Sequence, residues 1–387
     1  MSSVLDTYAR KAISFTEGKG SYLFAENGDK YLDFVQGIAT NVLGHCHEYL
    51  VKTIQDQSKK LWHVSNAFVI PDQERLAKRL TDKTFADFVC FQNSGTEATE
   101  ACIKIARKYF HKIGKPEKNR IITFQGAFHG RTLAALFAAN NPKHTEGFGP
   151  KVDGFDQVPF ADHEAVKKAI NENTAAIMVE TIMGEGGIKV VPDFCLKGLR
   201  EICNKHDILL ILDEVQCAYR TGNFFAFEKS GIIPDIVPIA KGIGGGFPLG
   251  ACLVTKKVSV GMTPGTHGST FGGNPLAMAV GNAVLDIIFE KDFLRNVKQK
   301  GEYFDQGLNK IKEEYPKIIG EIRGVGLIKG LKMLVDNTEF VKKLMNHKML
   351  TVKAEENVIR LFPPLTVNNK ELDEAIGKIA KVCKEMN

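Results

Sequence analysis

The middle of the chain constrains the fold most strongly, because short apolar runs alternate there with stretches of helical pattern. FVCFQ precedes a helical stretch at 96–113, IITFQ precedes one at 131–139, and AAIMVE precedes one at 193–206. Three further apolar runs follow, ILLILDEV, DIVPIAK and GACLVT. Strands that alternate with helices form mostly parallel sheets with helices on both faces. The pattern therefore predicts an α/β fold with a central, mostly parallel sheet.

The two ends of the chain follow a different pattern. Near the N-terminus, YLFAENGDKYLDFV contains two alternating runs around Asn27 and Gly28, which is typical of a β-hairpin. Near the C-terminus, a long helical pattern at 276–315 is followed by short strands in IRGVGLIKGLKM and LTVKAEENVIRLFPP and by a last helix at 369–385. The predicted domains are a large α/β domain, 48–275, and a small α+β domain built from 1–47 and 276–387.

Composition argues against several classes of protein. The 51 Lys and Arg residues exceed the 45 Asp and Glu residues by six, and this charge is spread along the chain, so nucleic acid is not an expected partner. No apolar run approaches the ~18 residues of a membrane span, and no signal peptide is recognisable. The eight cysteines include no C-x-x-C pair, and His45-Cys46-His47 has no second ligand pair at zinc spacing. We expect a cytoplasmic protein without a membrane partner or a metal.

Polar residues directly after apolar runs are candidate site residues, because ligands of open α/β sheets bind beyond the carboxyl ends of the strands. The first group follows FVCFQ, where Ser94 and Glu97 have the spacing of a capping box at a helix start. Free backbone N–H groups and the hydroxyls of Ser94 and Thr96 would form an anion pocket there. A well-capped helix without a ligand is the alternative. A Walker A loop is excluded, because its G-x-x-x-x-G-K-[ST] pattern is absent.

The second candidate is Asp213, which ends the apolar run ILLILD and precedes Glu214 and Gln216. A buried carboxylate is unfavourable unless it meets a cation, so Asp213 predicts a ligand's protonated nitrogen or a bound metal nearby. A partly solvated loop acid is one alternative. The Mg²⁺-binding acid of a nucleotide hydrolase is another, but that class needs the absent phosphate loop.

The third candidate is Lys241, which ends the run DIVPIAK and precedes a glycine-rich segment that lets the backbone approach a ligand. Burial would lower the pKa of its ammonium and leave a free amine that attacks carbonyls. A lysine that extends its charge into solvent is the alternative. The fourth candidate is the loop GTHGSTFGGNP, where Ser269 and Thr270 are suited to phosphate or carboxylate contacts, although such clusters are also plain turns.

Together these candidates fit one ligand with a phosphate, a carbonyl and a protonated ring nitrogen. Pyridoxal phosphate has all three groups. A lysine amine condenses with its aldehyde, and an aspartate keeps its ring nitrogen protonated so that the ring can accept electrons.

Motifs along nearly the whole chain resemble those of the class III aminotransferases, which have the type I fold of pyridoxal-phosphate-dependent transferases. The motifs are, in order, YLDFVQGIATNVLGHCH, LWHVSNAF, NSGTEA, FHGRT, GEGG, LDEVQ, AKGIGGGFPLGA, GSTFGGNP and IRLFPPL. The resemblance implies a seven-stranded type of central sheet, pyridoxal 5'-phosphate as cofactor, and a homodimer with shared active sites.

The resemblance also implies a role for each matching residue at the cofactor. Lys241 would be the catalytic lysine that bonds the cofactor, Asp213 would face its ring nitrogen, and Gln216 its phenolic oxygen. The other implied contacts are Val215 and Phe128 on the two ring faces, Ser94, Gly95 and Thr96 at the phosphate, and Thr270 at the phosphate of the neighbouring subunit.

For the substrates, the resemblance implies transfer of an amino group from N2-acetylornithine to 2-oxoglutarate, a step of arginine biosynthesis. Arg131 and Ser269 would contact the carboxylate side of acetylornithine, and Arg360 the α-carboxylate of glutamate. Because one pocket serves both substrates, Arg360 would be an unpaired buried cation when acetylornithine is bound. Glu185 is the residue expected to neutralise it.

Several alternatives stay open. Succinyl-diaminopimelate, ornithine and 4-aminobutyrate are alternative donors, because one or two contacts can decide a pocket's preference, and the first is also a candidate second activity. A nucleotide-binding α/β enzyme is disfavoured by the missing phosphate loop and by the lack of G-x-G-x-x-G between a strand and a helix. A non-catalytic binding protein of the same fold would be expected to lack Lys241 or Asp213.

Overall fold

The structure is a computed structural model that describes residues 3–387. Its strands are β1 Phe15–Lys19, β2 Tyr22–Ala25, β3 Lys30–Asp33, β4 Phe88–Gln92, β5 Arg120–Phe124, β6 Phe155–Val158, β7 Thr174–Glu180, β8 Ile182–Met183, β9 Lys189–Val190, β10 Leu209–Asp213, β11 Ile236–Ile239, β12 Gly250–Val254, β13 Ile319–Val325, β14 Ile328–Met333, β15 Met349–Leu350, β16 Val352–Ala354 and β17 Val358–Leu361. Its helices are α1 Gln36–Ala39, α2 Glu48–Ser58, α3 Pro71–Lys83, α4 Gly95–Lys112, α5 Leu133–Ala139, α6 Pro142–Thr145, α7 His163–Ala169, α8 Asp193–His206, α9 Lys256–Ser259, α10 Pro275–Ile288, α11 Phe293–Glu314, α12 Asn337–Asn346 and α13 Asn369–Met386. Two 3₁₀ turns lie at Ala226–Ser230 and Lys241–Gly244.

A seven-stranded sheet in the order β4-β12-β11-β10-β7-β5-β6 forms the centre of the molecule. β12 is antiparallel to both of its neighbours, and every neighbouring pair from β11 to β6 is parallel. Alternate residues of β10 point to opposite faces of the sheet. Leu209 and Ile211 belong to a core shared with α4, whereas Leu210 and Leu212 belong to one shared with α8. The predicted mostly parallel sheet with helices on both faces is confirmed.

The chain ends form smaller sheets. The predicted hairpin is confirmed, since β2 and β3 pair antiparallel with Tyr22 opposite Leu32. β15 adds to β3 in parallel, so segments from both ends of the chain share one sheet. The strands β13-β14-β17-β16 form another sheet, against which α11 and α12 pack. The domain boundaries after residues 47 and 275 stay a prediction.

The helical pattern predicted at 276–315 is wrong as one continuous element, because the structure divides it into α10 and α11. The break lies at 289–292, where Asp292 has a φ of 69°, a left-handed conformation that an α-helix cannot contain. α10 packs against α2, α3 and the turn Lys241–Gly244. Among residues 3–387, no helix combines the length and the apolar character needed to cross a membrane.

Candidate active site

A cavity of about 210 Å³ lies where the parallel strands of the central sheet end. The start of α4, the turn after β11 and the segments that follow β5, β7 and β10 surround it. Its lining consists of Gly95, Thr96, Phe128, His129, Gly130, Arg131, Glu180, Glu185, Asp213, Val215, Gln216 and Lys241. The structure therefore brings nine of the predicted residues together. Four predicted residues do not line this cavity: Ser94, Ser269, Thr270 and Arg360.

Lys241 is delivered to the cavity by β11, which ends two residues before it. Its backbone has a φ of 49°, a left-handed conformation that costs a residue with a side chain on the order of 1–3 kcal/mol. Burial lowers the pKa of its ammonium, and the charges of Glu180 and Asp213 oppose that effect. A lysine with a lowered pKa supplies the free amine that condenses with carbonyl groups.

Asp213 ends β10 and is almost completely buried. Its Oδ2 lies 2.8 Å from Nδ1 of His129, and its Oδ1 accepts a hydrogen bond from the Val215 N–H at 3.0 Å. Burial alone disfavours the charged imidazolium, but the hydrogen bond and charge of Asp213 outweigh it, so the pKa of His129 is raised. A buried carboxylate held by a donor in this way is suited to face a cationic group of a ligand.

The start of α4 forms the wall beside Lys241. Ser94 caps the helix, since its hydroxyl accepts from the Glu97 N–H at 3.3 Å and donates to Glu97 Oε2 at 2.8 Å. The first residues of a helix have N–H groups without a partner inside the helix, and the helix dipole adds positive potential there. Gly95 brings this end close, because a Cβ on it would lie 2.7 Å from Val215 Cγ1. The arrangement suits a phosphate, while the Ser94 hydroxyl itself is used in the cap.

Thr96 connects α4 to the loop that follows β5. Its hydroxyl oxygen accepts hydrogen bonds from the N–H groups of Arg131 at 3.1 Å and Thr132 at 3.2 Å. A Cβ on Gly130 would lie 2.2 Å from that oxygen, so only glycine permits this approach. The loop that carries Phe128 and Arg131 is therefore fixed against the helix start.

Two polar atoms of the cavity lining are buried without a hydrogen-bond partner among residues 3–387, namely Gln216 Oε1 and His129 Nε2. Unpaired buried polar atoms are unfavourable, so this pair indicates that the cavity receives a polar ligand. A Cβ on Gly184 would overlap Gln216 Oε1 at 1.7 Å, which shows that the amide is closely surrounded. Phe128 contributes an aromatic wall, with the Arg131 guanidinium carbon 5.0 Å from its ring centroid.

The sequence analysis missed three residues of the cavity lining, His129, Gly130 and Glu180. Glu180 ends β7 opposite Asp213 in the β7–β10 register, and it accepts N–H groups of Phe128 at 2.8 Å and Gly184 at 3.3 Å. Burial raises the pKa of its carboxyl. Glu180 ends the apolar run AAIMVE as Asp213 ends ILLILD, so the rule that selected Asp213 would have found it. His129 and Gly130 lie inside the FHGRT motif that was already singled out.

Arg360 lies behind the cavity lining, on β17, and is almost fully buried. Its Nη1 is 2.7 Å from Glu185 Oε1, and its Nη2 donates to the Lys353 carbonyl at 2.8 Å. The side chain of Glu185 is about one-third exposed and reaches the cavity. The predicted partners are thus in contact, with Glu185 placed between Arg360 and the cavity.

Ser269 and Thr270 lie apart from this cavity. The Ser269 hydroxyl accepts from the Gly272 N–H at 2.9 Å and from Asn93 Nδ2 at 3.1 Å, and Ser269 lines a separate cavity of about 620 Å³. Thr270 is exposed. Its assignment to the active site of a neighbouring subunit stays a prediction.

Comparisons with known proteins identify the family. Residues 6–383 match the family described as aminotransferase class-III. This chain belongs to the class-III aminotransferases. It is 55% identical over 384 residues to an acetylornithine aminotransferase of Mesorhizobium japonicum, an alignment that covers 99% of this chain and 96% of the relative. An acetylornithine aminotransferase of Agrobacterium fabrum is 54% identical, with 97% of this chain and 94% of the relative covered.

Solved structures of class-III aminotransferases share the fold. The ornithine aminotransferase of Toxoplasma gondii superposes with a TM-score of 0.95 at 31% identity, covering 99% of this chain and 93% of that one. The N-acetylornithine aminotransferase of Stenotrophomonas maltophilia gives 0.86 at 32% identity, covering 98% and 97%. Another Toxoplasma gondii structure of ornithine aminotransferase is described with pyridoxal phosphate at the active site.

Class-III aminotransferases use pyridoxal 5'-phosphate, and the cavity fits that cofactor. The start of α4 is suited to the phosphate, Asp213 to the ring nitrogen and the unpaired Gln216 amide oxygen to the neighbouring phenolic group. The lowered pKa of Lys241 suits the bond to the aldehyde carbon.

Proposed function

We propose that this class-III aminotransferase transfers the terminal amino group of N2-acetylornithine to 2-oxoglutarate, giving N-acetylglutamate 5-semialdehyde and glutamate in arginine biosynthesis. The observation that carries the proposal is a neutralised arginine, Arg360 paired with Glu185, beside a cavity that also presents Arg131. The names of the two relatives at 54–55% identity support the same substrate.

The two arginines account for two different substrates in one pocket. Acetylornithine reacts at its terminal amine, so its carboxylate lies far from Lys241 and can pair with Arg131, while Arg360 stays neutralised by Glu185. Glutamate reacts at its α-amine and brings one carboxylate close to the cofactor. That carboxylate pairs with Arg360 after Glu185 gives way, and the second carboxylate pairs with Arg131.

The remaining residues prepare the reacting atoms. The bound cofactor supplies an aldehyde and a ring that accepts electrons. Lys241 would hold the cofactor through its amine, and that amine, once displaced by the amine of the substrate, would accept the proton of the substrate carbon that bears the amino group. Asp213, held by His129, presents a carboxylate to the cofactor's ring nitrogen. Val215 and Phe128 confine the ring, and the closely packed start of α4 holds the phosphate.

One experiment tests the catalytic assignment. The purified protein should be yellow, and borohydride should bleach it while fixing the cofactor on Lys241, as peptide mass mapping would show. A Lys241→Ala variant should bind the cofactor without the covalent bond and lose turnover. Turnover by this variant at the wild-type rate would contradict the assignment.

A second experiment tests the substrate. We expect kcat/KM with 2-oxoglutarate as acceptor to be highest for acetylornithine, with succinyl-diaminopimelate as a second donor, and lower for ornithine and 4-aminobutyrate. Ornithine carries a charged α-amine that Arg131 would repel, and 4-aminobutyrate has a shorter chain between its amine and its carboxylate. A preference for ornithine or 4-aminobutyrate by tenfold or more, about 1.4 kcal/mol, would replace the proposed substrate.

We also propose that the enzyme is a homodimer in which Thr270 serves the partner's phosphate site. An exposed apolar patch supports this, because folded monomers rarely leave several large apolar side chains together in solvent. The patch comprises Leu61, Trp62, Phe68, Val69 and Phe271. Asn66 joins its two segments by donating to the carbonyls of Ser269 at 3.2 Å and Gly272 at 2.8 Å.

Subunit mixing tests the shared site. Lys241→Ala and Thr270→Ala subunits should each be impaired alone, and their heterodimer should regain one intact site. No gain of activity after exchange of subunits would refute the sharing.

We place the enzyme in the cytoplasm, since all eight cysteines are unpaired thiols within the described residues.

A further inference from the structure

The short helix α6 brings a histidine to the side chain of Arg131. Nη2 of Arg131 lies 3.3 Å from Nε2 of His144. Arginine has no acceptor, so Arg131 donates and Nε2 of His144 must be the unprotonated nitrogen. The imidazole also meets the Phe128 ring edge-on, at 6.3 Å between centroids and an interplanar angle of 89°. The guanidinium is thus held by a ring face on one side and by a hydrogen bond on the other.

α6 is also connected, through Glu355, to Glu185, the residue that pairs with Arg360. Asn141 caps α6 by accepting from the Lys143 N–H at 3.1 Å, and its Nδ2 donates to Glu355 Oε1 at 2.9 Å. The Glu355 N–H in turn donates to the carbonyl of Glu185 at 2.9 Å. His144 therefore has a fixed position relative to Glu185 as well as to Arg131.

We propose that His144 is a positioning residue that aims the Arg131 guanidinium at the cavity and so sets the affinity for the substrate carboxylate that lies far from the reacting amine. The inference rests on the proposed function, because it assumes that both substrates present such a carboxylate to Arg131. An exposed arginine without this contact would sample several rotamers, and ordering them on binding would weaken the affinity.

The charges around His144 give the proposal a pH dependence. Arg131 and Lys143 are the cations that face it, and Glu185 and Glu355 are the carboxylates. Burial and then the charge of Arg131 lower the pKa of His144, so the imidazole is neutral at neutral pH. A protonated His144 can no longer accept from Arg131, and the two cations repel each other. The affinity for the far carboxylate should therefore fall as the pH is lowered.

The test is steady-state kinetics of the holoenzyme variants with acetylornithine and 2-oxoglutarate, from about pH 5.5 to about pH 8. At neutral pH, His144→Ala should raise both KM values about five- to tenfold, the effect of one hydrogen bond of ordinary strength, because this contact is long and exposed, with kcat within about twofold. His144→Gln keeps an acceptor that does not titrate. It should restore the wild-type KM at neutral pH and abolish the rise in KM at acid pH. Lys143→Ala, the neighbouring change on α6, should leave both KM values unchanged.

Arg131→Ala separates this inference from the proposed function. If Arg131→Ala leaves both KM values unchanged, the proposed substrate contacts are wrong. If Arg131→Ala raises them and His144→Ala does not, the positioning role alone is overturned. A rise of equal size in Lys143→Ala, or a failure of His144→Gln to restore KM, would also overturn it, because α6 would then act only through packing.

Discussion

Replacing Glu185 by Gln tests whether this carboxylate neutralises Arg360 when no substrate carboxylate does. Arg360 is 1% exposed, and among residues 3–387 Glu185 is the only carboxylate within 4.0 Å of its guanidinium. In the variant the guanidinium keeps its hydrogen bond to the Lys353 carbonyl and its position over the Phe362 ring, 5.7 Å from the centroid, while its Nε has no hydrogen-bond partner among the described residues. The substitution therefore leaves a buried charge largely uncompensated.

The size of the effect follows from the burial of the two partners. Removing one member of a fully buried ion pair costs about 3–5 kcal/mol. The side chain of Glu185 is 34% exposed, and in the variant Gln still offers an oxygen to Arg360. The loss of interaction free energy at Arg360 should therefore be close to the difference between a charged and a neutral hydrogen-bond acceptor, about 1.4 kcal/mol or tenfold. The two substrates should respond in opposite directions.

The rate constant of the half-reaction with glutamate should rise, and that of the half-reaction with acetylornithine should fall. The α-carboxylate of glutamate no longer has to displace a competing anion from Arg360, so the second-order rate constant of its half-reaction should rise about tenfold. Acetylornithine offers nothing to Arg360, and its complex would enclose an unpaired cation, so its rate constant should fall by about the same factor. The preference between the two donors should shift on the order of a hundredfold.

Single-turnover half-reactions, followed by the absorbance of the cofactor at several donor concentrations, measure the two rate constants separately. Glu356→Gln is the matched control, because Glu356 pairs with Lys189 and Arg323 rather than with Arg360. Unchanged half-reactions in Glu185→Gln, or equal changes in both, would refute the neutralising role of Glu185.

Three further variants test other parts of the site. Gly95→Ala places a Cβ 2.7 Å from Val215 Cγ1, an overpacking of about 1–3 kcal/mol. The dissociation constant of the cofactor, measured by equilibrium dialysis, should therefore rise about tenfold or more. Gly377→Ala has no atom within 4 Å of the new Cβ and should leave it unchanged. Asp213→Asn removes the charged partner of His129, and kcat should fall about 10²-fold or more, the effect of about 3–5 kcal/mol; a kcat within threefold of wild type would contradict its role. The folding stability of the wild type should fall between pH 4.5 and about pH 7 because of Glu214, and Glu214→Gln should abolish that fall, as chemical denaturation would show.

The buried carboxyl of Glu214 makes the folding stability depend on pH. Burial raises the pKa of this carboxyl from 4.5 to about 7. Between those values the unfolded chain has lost the proton and the folded chain holds it, so stability falls as the pH rises through this window. The interval corresponds to about 3 kcal/mol. The wild type should lose that much more stability than Glu214→Gln across the window, and parallel pH profiles would contradict the argument.

The sequence predicted the parallel sheet and most of the cavity because both depend on short patterns. Apolar runs mark buried strands, and the residue that ends each run lies at the edge of the sheet where the ligand binds, as for Asp213 and Lys241. The break between α10 and α11 escaped prediction because no glycine or proline marks it. Phe289 also continues the apolar pattern, since its ring stacks on Phe224 at 5.5 Å. Phe289 and Phe293 pack against the core on either side of the turn, so the apolar pattern continues although the helix does not.

The partners of the site residues could not be predicted, because they join segments far apart in the chain. Asp213 is 84 positions from His129, Arg360 is 175 from Glu185, and Glu180 is 52 from Phe128. No local pattern encodes such pairs. The pairing of Arg360 with Glu185 was implied by resemblance, whereas the contact of His129 with Asp213 follows only from the three-dimensional arrangement.

Three carboxyls at the ends of two adjacent strands show how those partners determine function. Asp213 is bound by a histidine and a backbone N–H, which suits it to a ligand's cation. Glu180 is bound by the N–H groups of Phe128 and Gly184, so it braces the two segments that carry the aromatic wall and Glu185. Glu214 is satisfied by Thr181, Cys217 and the backbone of Ala226 and Phe227, away from the cavity. Burial raises the pKa of both glutamates, so neutral forms are accessible to them near pH 7, whereas Asp213 lies 2.8 Å from Nδ1 of His129 and raises the pKa of that imidazole. Of the three carboxyls, only Asp213 both lines the cavity and is hydrogen-bonded to a histidine, which suits it to a cationic group of a ligand.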